Sequence, residues 1–124
     1  ITVSLGDITV TSIDEQFVQR AINVVESNIC DPKFDTVTMA KEIGVSRKLL
    51  HTKLKAITGQ STGEFIRTLR LKRAAQLLEQ GYGNVTQIAY DVGFQSLSYF
   101  AKAFREQFGQ SPSHYSSQNI KKKA

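Results

Sequence analysis

The stretch whose reading decides the fold is IAYDVGFQSLSYFAKAFREQFGQSPSHY, residues 88–115. Ile88 and Ala89 belong to a short helix that Asn84 opens, and Gly93 supplies the positive φ that ends it. A buried Phe94 then leads to Ser96, a residue type that caps helices, and Phe100, Phe104 and Phe108 recur every fourth position along one helical face. Gly109 stops that helix, and Ser111 with Pro112 forms an N-cap and N1 pair that starts a terminal turn or two of helix. Small Ala89 lets the two helices approach closely. This is the outline of a helix-turn-helix, although one copy describes an αα-hairpin in a bundle equally well.

The chain writes the outline twice. Met39-Ala40 and Ile43-Gly44 match Ile88-Ala89 and Val92-Gly93 at an offset of 49. Ser46, Leu50, Leu54, Gly59, Gln60, Ser61 and Phe65 match Ser96, Phe100, Phe104, Gly109, Gln110, Ser111 and Tyr115 at an offset of 50. The one inserted residue falls in the turn after the glycine, where it leaves both helices and their packing faces intact. Val45 is expected to be buried as Phe94 is. Two copies in so short a chain favour the helix-turn-helix over the hairpin.

The remaining helices follow from caps and periodicity. Ser12 and Glu15 form a capping box, and Ile13, Phe17, Ala21, Val24, Val25 and Ile29 recur at helical spacing, so a first helix runs to about Asn28 and ends at the DPKF turn. Thr36 caps a helix through Ile43, with Gly44 after it, and Ser46 caps the next, whose stripe is Leu50, Leu54 and Ile57. Ser61 and Glu64 form a second capping box that opens a long helix over about 62–80, with Phe65, Leu69, Ala74, Leu77 and Leu78 inward. Gly81 and Gly83 then break the chain. Residues 1–11, ITVSLGDITVT, alternate β-branched residues and read as a linker or stray strand left from a preceding domain. No strand pattern follows them. The expected fold is all-α with about seven helices: two helix-turn-helix subdomains (about 36–58 and 85–108) joined by the long helix, within one domain over 12–116, and a basic tail over 117–124.

Composition excludes several function classes. Cys30 is the single cysteine, and the two histidines, His51 and His114, lie too far apart in sequence to form a ligand pair, so neither a disulfide nor a metal site is expected. No nucleophile is paired with a base and no glycine-rich phosphate loop follows a strand, so no catalytic residue, and no cofactor or small-molecule ligand, is expected. Apolar runs are too short to span a membrane, and no signal peptide is present. Ile1 stands where an initiating methionine would, which reads as a piece of a longer polypeptide. The net charge of +5 is unevenly spread. Residues 1–46 carry three bases against seven acids, whereas residues 47–73 carry eight bases against Glu64 alone. Such a block is the footprint of a polyanion binder or, equally from charge alone, a solvated lysine-rich face. A helical protein-interaction module with a basic face is the alternative function.

From about residue 34 to 116 the chain resembles the DNA-binding domain of AraC-type transcription activators, which carry two helix-turn-helix units joined by a long helix. The second unit is similar to the family signature I-A-x-x-x-G-F, S-Y-F, F-[KR], a glycine and S-P-x-x-[YF], and EFIRTLRLKRAAQLL over 64–78 matches R-L-x-x-A-x-x-L-L. Thr62 stands where the family commonly has proline, which leaves that helix start to Ser61 and Glu64. The leading stretch ITVTSIDEQFVQRAINVVESNICDPKFDTVTMAKEIGVSR, residues 8–47, further resembles the output domains of hybrid two-component regulators. That resemblance implies an inner-membrane sensor of carbohydrate fragments, an output domain on the cytoplasmic face, and activation of genes for carbohydrate use.

The apolar stripe of each second helix fixes which residues point outward. For the first unit these are Arg47, Lys48, His51, Thr52 and Lys55; for the second, Leu97, Ser98, Ala101, Lys102 and Arg105. Carried over by position, the family's base readers fall on Lys48, His51 and Thr52 and on Leu97, Ser98 and Lys102, with Arg47, Lys55 and Arg105 on phosphates. Ser61 and Ser111, each capping a helix whose N-terminus favours anions, are further phosphate candidates. Tyr99 is expected in the core, and Arg70 in a salt bridge across the two units. The nineteen-residue long helix spans about 28 Å at 1.5 Å per residue, close to the roughly 34 Å between successive major-groove faces. The expected partners are double-stranded DNA and RNA polymerase, with a monomer in isolation and a dimer in the full-length protein.

Overall fold

A computed structural model describes residues 12–123, with side chains for 12–118. The expectation of a linker or strand over 1–11 lies outside the described residues, as do the side chains at the end of the basic tail. Among the described residues there are seven helices and no strand: α1 (Ser12–Ser27), α2 (Thr36–Ile43), α3 (Arg47–Thr58), α4 (Thr62–Gln80), α5 (Val85–Asp91), α6 (Leu97–Phe108) and α7 (Pro112–Lys123). The last is longer than the turn or two expected and takes in most of the 117–124 tail.

Local chemistry sets the boundaries. Ser46, Ser96 and Asn84 are extended N-cap residues whose side chains accept from Leu49, Tyr99 and Gln87 amides, which satisfies one of the unpaired donors at each helix start. Ser61 and Glu64 exchange bonds as a capping box, the Ser61 amide donating to Glu64 Oε1 at 3.1 Å and the Glu64 amide to Ser61 Oγ at 3.2 Å. At α2 the cap is Asp35 rather than Thr36: its carboxylate accepts from the Thr38 amide at 3.0 Å, and Thr36 is the first helical residue. Ser12 is likewise within α1 rather than ahead of it.

The described residues form two compact units. One takes in residues up to Asn28 together with Phe34–Arg67; the other takes in Ile29–Lys33 together with Thr68 onward. In the first, α1 buries Val18, Ala21 and Val25, while Ile13, expected inward, is 71% exposed. Val18 sits on that face with Ala21 and Val25, at spacings of three and seven, whereas Ile13 lies at the end of α1, before the packed face begins. Met39, Ala40, Ile43, Leu50, Leu54 and Ile57 fill the rest of this core, and Val45 is only half-buried. In the second unit Leu71, Ala74, Leu78, Ile88, Ala89, Val92 and Phe94 pack with α6. Phe94, Phe100, Phe104, Phe108 and Tyr115 form a run of rings whose centroids lie 4.5–5.7 Å apart, the range in which tilted and edge contacts are favourable. Along α4, Ile66, Leu71 and Ala75 are buried, while Leu69 and Leu77, expected inward, are half-buried. A helix that contributes to two cores has no single apolar stripe, so periodicity misplaces part of its inner face.

Candidate nucleic-acid interface

In the first unit α2 ends at Gly44, whose φ of 87° turns the chain into Ser46 and α3. Because Leu50 and Leu54 are fully buried, the opposite side of α3 faces solvent. Arg47, Lys48, His51, Thr52 and Lys55 are all exposed there. Lys53 belongs to the same basic block but turns away, its Nζ 4.7 Å from the centre of the Phe17 ring on α1. Leu49 is also exposed, at 45%.

Three helix starts meet beside α3. Thr36, Ser46, Arg47, Lys48, His51, Ser61, Thr62 and Gly63 line an open concavity of about 590 Å³. It gathers Arg47, Lys48, His51 and Ser61 from the expected site residues and adds Thr36 and Thr62, which the sequence does not single out as contacts. The only available signal was that Thr62 departs from the proline at the matched position of the second repeat. Glu64 is committed nearby: donation from the Ser61 amide holds its carboxyl below the usual range. The Thr38 amide does the same for Asp35.

The second unit repeats the turn at Gly93, with φ 92°. On α6, Phe100, Ala103 and Phe104 are buried and Leu97, Ser98, Lys102 and Arg105 are exposed. Tyr99 corrects the expectation of a core residue. It is 48% exposed, with its ring 5.9 Å from that of Phe94. Its repeat partner Leu49 is exposed to a similar extent, so position three of both helices lies at the edge of the buried stripe. Ser111 caps α7, accepting from the His114 amide at 3.2 Å.

Arg70 is held by backbone carbonyls. It is 7% exposed, and its guanidinium donates to the backbone carbonyls of Gly93 and Asp31, the latter at 2.9 Å. Gln95 adds a bond to the Pro32 carbonyl at 3.1 Å. Residues Ile29–Lys33 are thereby tied to the turn that precedes α6. Burial pulls the Arg70 pKa down, and neighbouring Asp31 opposes the shift.

A family model described as a helix-turn-helix domain matches residues 39–118. Regulatory protein SoxS of Salmonella typhimurium is 33% identical over 101 residues, covering 82% of this chain and 94% of that protein. A solved transcriptional regulator from Chromobacterium violaceum, described as an AraC-type DNA-binding domain-containing protein, superposes with a TM-score of 0.80 at 29% identity, over 88% of this chain and 96% of that one. The chain belongs to the AraC-type helix-turn-helix family. The AraC-type domain is also 47% identical over 110 residues to histidine kinase P4 of Formosa agariphila, a match that covers 89% of this chain but only 8% of that protein. The DNA-binding domain of the global transcriptional factor AdpA, solved in complex with a target DNA, superposes on this AraC-type domain with a TM-score of 0.71 at 26% identity, over 87% and 93% of the two chains. No helix among the described residues is long and apolar enough to cross a membrane.

Proposed function

We propose that this AraC-type domain binds double-stranded DNA sequence-specifically and regulates transcription as the output module of a larger signal-responsive regulator. The observation that carries the reading is α3: a helix after a helix-turn-helix turn, with its apolar stripe buried and Arg47, Lys48, His51, Thr52 and Lys55 on its free side. A helix so placed presents its first turns to base edges in the major groove, and arginine and lysine supply donors for guanine or for phosphate. The AdpA domain, similar in fold and bound to DNA in its own structure, supports the same partner here.

In this reading Lys48, His51 and Thr52 from α3 and Leu97, Ser98 and Lys102 from α6 meet bases. Arg47, Lys55 and Arg105 neutralise phosphates, and the caps Ser61 and Ser111 place helix starts against the backbone. With one long cation among its readers, α6 specifies less than α3 and gains more from thymine methyl contacts through Leu97. The likeness to part of a histidine kinase supports an output role behind a sensor. As part of the same proposal, the domain works on the cytoplasmic side of a membrane-anchored protein that dimerises through its other domains, recruits RNA polymerase and activates genes of carbohydrate use.

The test is titration of duplexes selected from a random pool, against scrambled duplexes, across a range of salt. Three cationic phosphate contacts give a log-log slope of about −2.7, at roughly −0.9 per neutralised phosphate. A flat salt dependence, or equal affinity for selected and scrambled duplexes, refutes sequence-specific DNA binding.

A further inference from the structure

The two repeats share their caps and turns but differ at the residues that line the concavity of the first unit. Three helices start on that concavity: α2 at Thr36, α3 at Arg47 and α4 at Thr62. The first amides of a helix have no carbonyl a turn earlier to bond, so the Thr62 and Gly63 amides of α4 begin unpaired, whereas the Glu64 amide is taken by Ser61. The Thr62 side chain adds a second and independent sign of a missing ligand. Thr62 lies on the wall of the concavity and is 5% exposed, and its Oγ1 is buried with no hydrogen-bond partner among the described residues. A buried hydroxyl is costly to leave unpaired. Arg47, Lys48 and His51 complete a basic wall, and the acids of these helix starts, Asp35 and Glu64, accept from cap amides and do not line the space.

We propose that this concavity seats one phosphodiester of bound DNA, held by the Thr62 and Gly63 amides, the Thr62 hydroxyl and the Arg47 guanidinium, and that the second repeat is built without such a seat. The inference rests on the DNA-binding reading and adds an asymmetry to it. At the matched positions of the second repeat, Thr36 becomes Val85, Arg47 becomes Leu97, Lys48 becomes Ser98, His51 becomes Ala101 and Thr62 becomes Pro112. Proline has no amide proton, so Pro112 removes both the first donor of its helix and the hydroxyl. Each change deletes a donor or a charge while Ser46 and Ser61 persist as Ser96 and Ser111, so capping is kept while the hydroxyl, the first amide and the basic wall are lost, and the helix start behind Ser111 meets the backbone with fewer donors. The first unit then anchors the duplex.

The decisive variant is Thr62→Pro, which gives the first repeat what the second already has. Proline suits the first position of a helix, so the fold is kept, which circular dichroism and the melting temperature verify. Affinity for duplexes falls about tenfold, on selected and scrambled sequences alike, because a backbone contact carries no sequence information. The salt slope stays as in the wild type, since the lost donors are uncharged, whereas Arg47→Ala lowers it by about 0.9. Thr62→Val keeps the amide and loses only the hydroxyl, so its loss is smaller. A scan that replaces each phosphate in turn with neutral methylphosphonate then finds one position that weakens the wild type and has no effect on Thr62→Pro. Identical affinity and identical scan profiles for wild type and Thr62→Pro overturn the proposal while leaving DNA binding standing. Inorganic phosphate that shifts the Thr62 and Gly63 amide resonances, where duplex does not, assigns the seat to a free anion and also overturns it. A wild-type domain that binds no duplex refutes the parent reading, and this one with it.

Discussion

Alanine at Gly93 is expected to unfold the second unit far more readily than alanine at Gly44 unfolds the first, although the two glycines hold matching turns. Their φ angles are nearly the same, 92° and 87°, so the intrinsic penalty for a Cβ in the left-handed region, about 1–2 kcal/mol, applies equally to both. At Gly44 a Cβ meets nothing within 4 Å, and that penalty is the whole cost. At Gly93 the added atom would stand 2.7 Å from the Ile29 carbonyl oxygen and overlap the Arg70 guanidinium. The carbonyl is backbone and cannot swing aside, so the guanidinium must move off Gly93 and Asp31. Hydrogen bonds from a charged group are worth about 1.5–3 kcal/mol. Gly93→Ala should therefore cost about 4–8 kcal/mol, the strain plus two such bonds, against about 1–2 for Gly44→Ala. Urea unfolding followed by far-UV circular dichroism measures both. All four tyrosines lie at or beyond residue 82, so tyrosine fluorescence reports the second unit separately. Equal losses for the two variants, or an unmoved tyrosine transition in Gly93→Ala, would mean that Arg70 does not brace the turn ahead of α6.

Three other outcomes are expected. Lys48→Ala should lose about 1–3 kcal/mol on selected duplexes and little on scrambled ones, whereas Lys55→Ala should weaken both alike and lower the salt slope by about 0.9, as anisotropy titrations would measure. Asp35→Ala should cost about 1 kcal/mol in urea unfolding, because Asp35 caps α2, while Thr36→Ala leaves the cap in place and should stay within about 0.5 kcal/mol. Burial, with a hydrogen bond to Glu79, pushes the Tyr115 phenol from its ordinary 10.0 up to about 12. A raised folded pKa makes this contribution complete below pH 10 and lost as pH rises through about 12, so the melting-temperature gap between wild type and Tyr115→Phe should close across that window.

Seven helices were legible because each has a local cause: a capping side chain, a left-handed glycine, or apolar residues recurring every three or four positions. The same locality explains the errors. Asp35 and Thr36 are both capping residue types side by side, and only the backbone conformation of Asp35 chooses between them. Tyr99 and Leu49 sit one position before a fully buried residue, at the stripe's edge, where helical spacing alone does not separate core from solvent. The outward set on α3 and α6 was legible once the buried stripe was known, since a helix has only one other side to offer.

By itself, then, the sequence determined which segments are helical, that they form two copies of one motif, and, away from the stripe's edge at Leu49 and Tyr99, which side chains of α3 and α6 face away from the core, because these are consequences of neighbours within a turn or two along the chain. Tertiary structure alone decided that Ile29–Lys33 packs with the second unit, that Arg70 commits its charge to the Gly93 and Asp31 carbonyls, and that Thr36, Arg47 and Thr62 share one concavity. Those contacts join residues 11 to 63 positions apart. Neither periodicity nor capping chemistry carries information over that distance; it is fixed only when buried donors find acceptors and cores close.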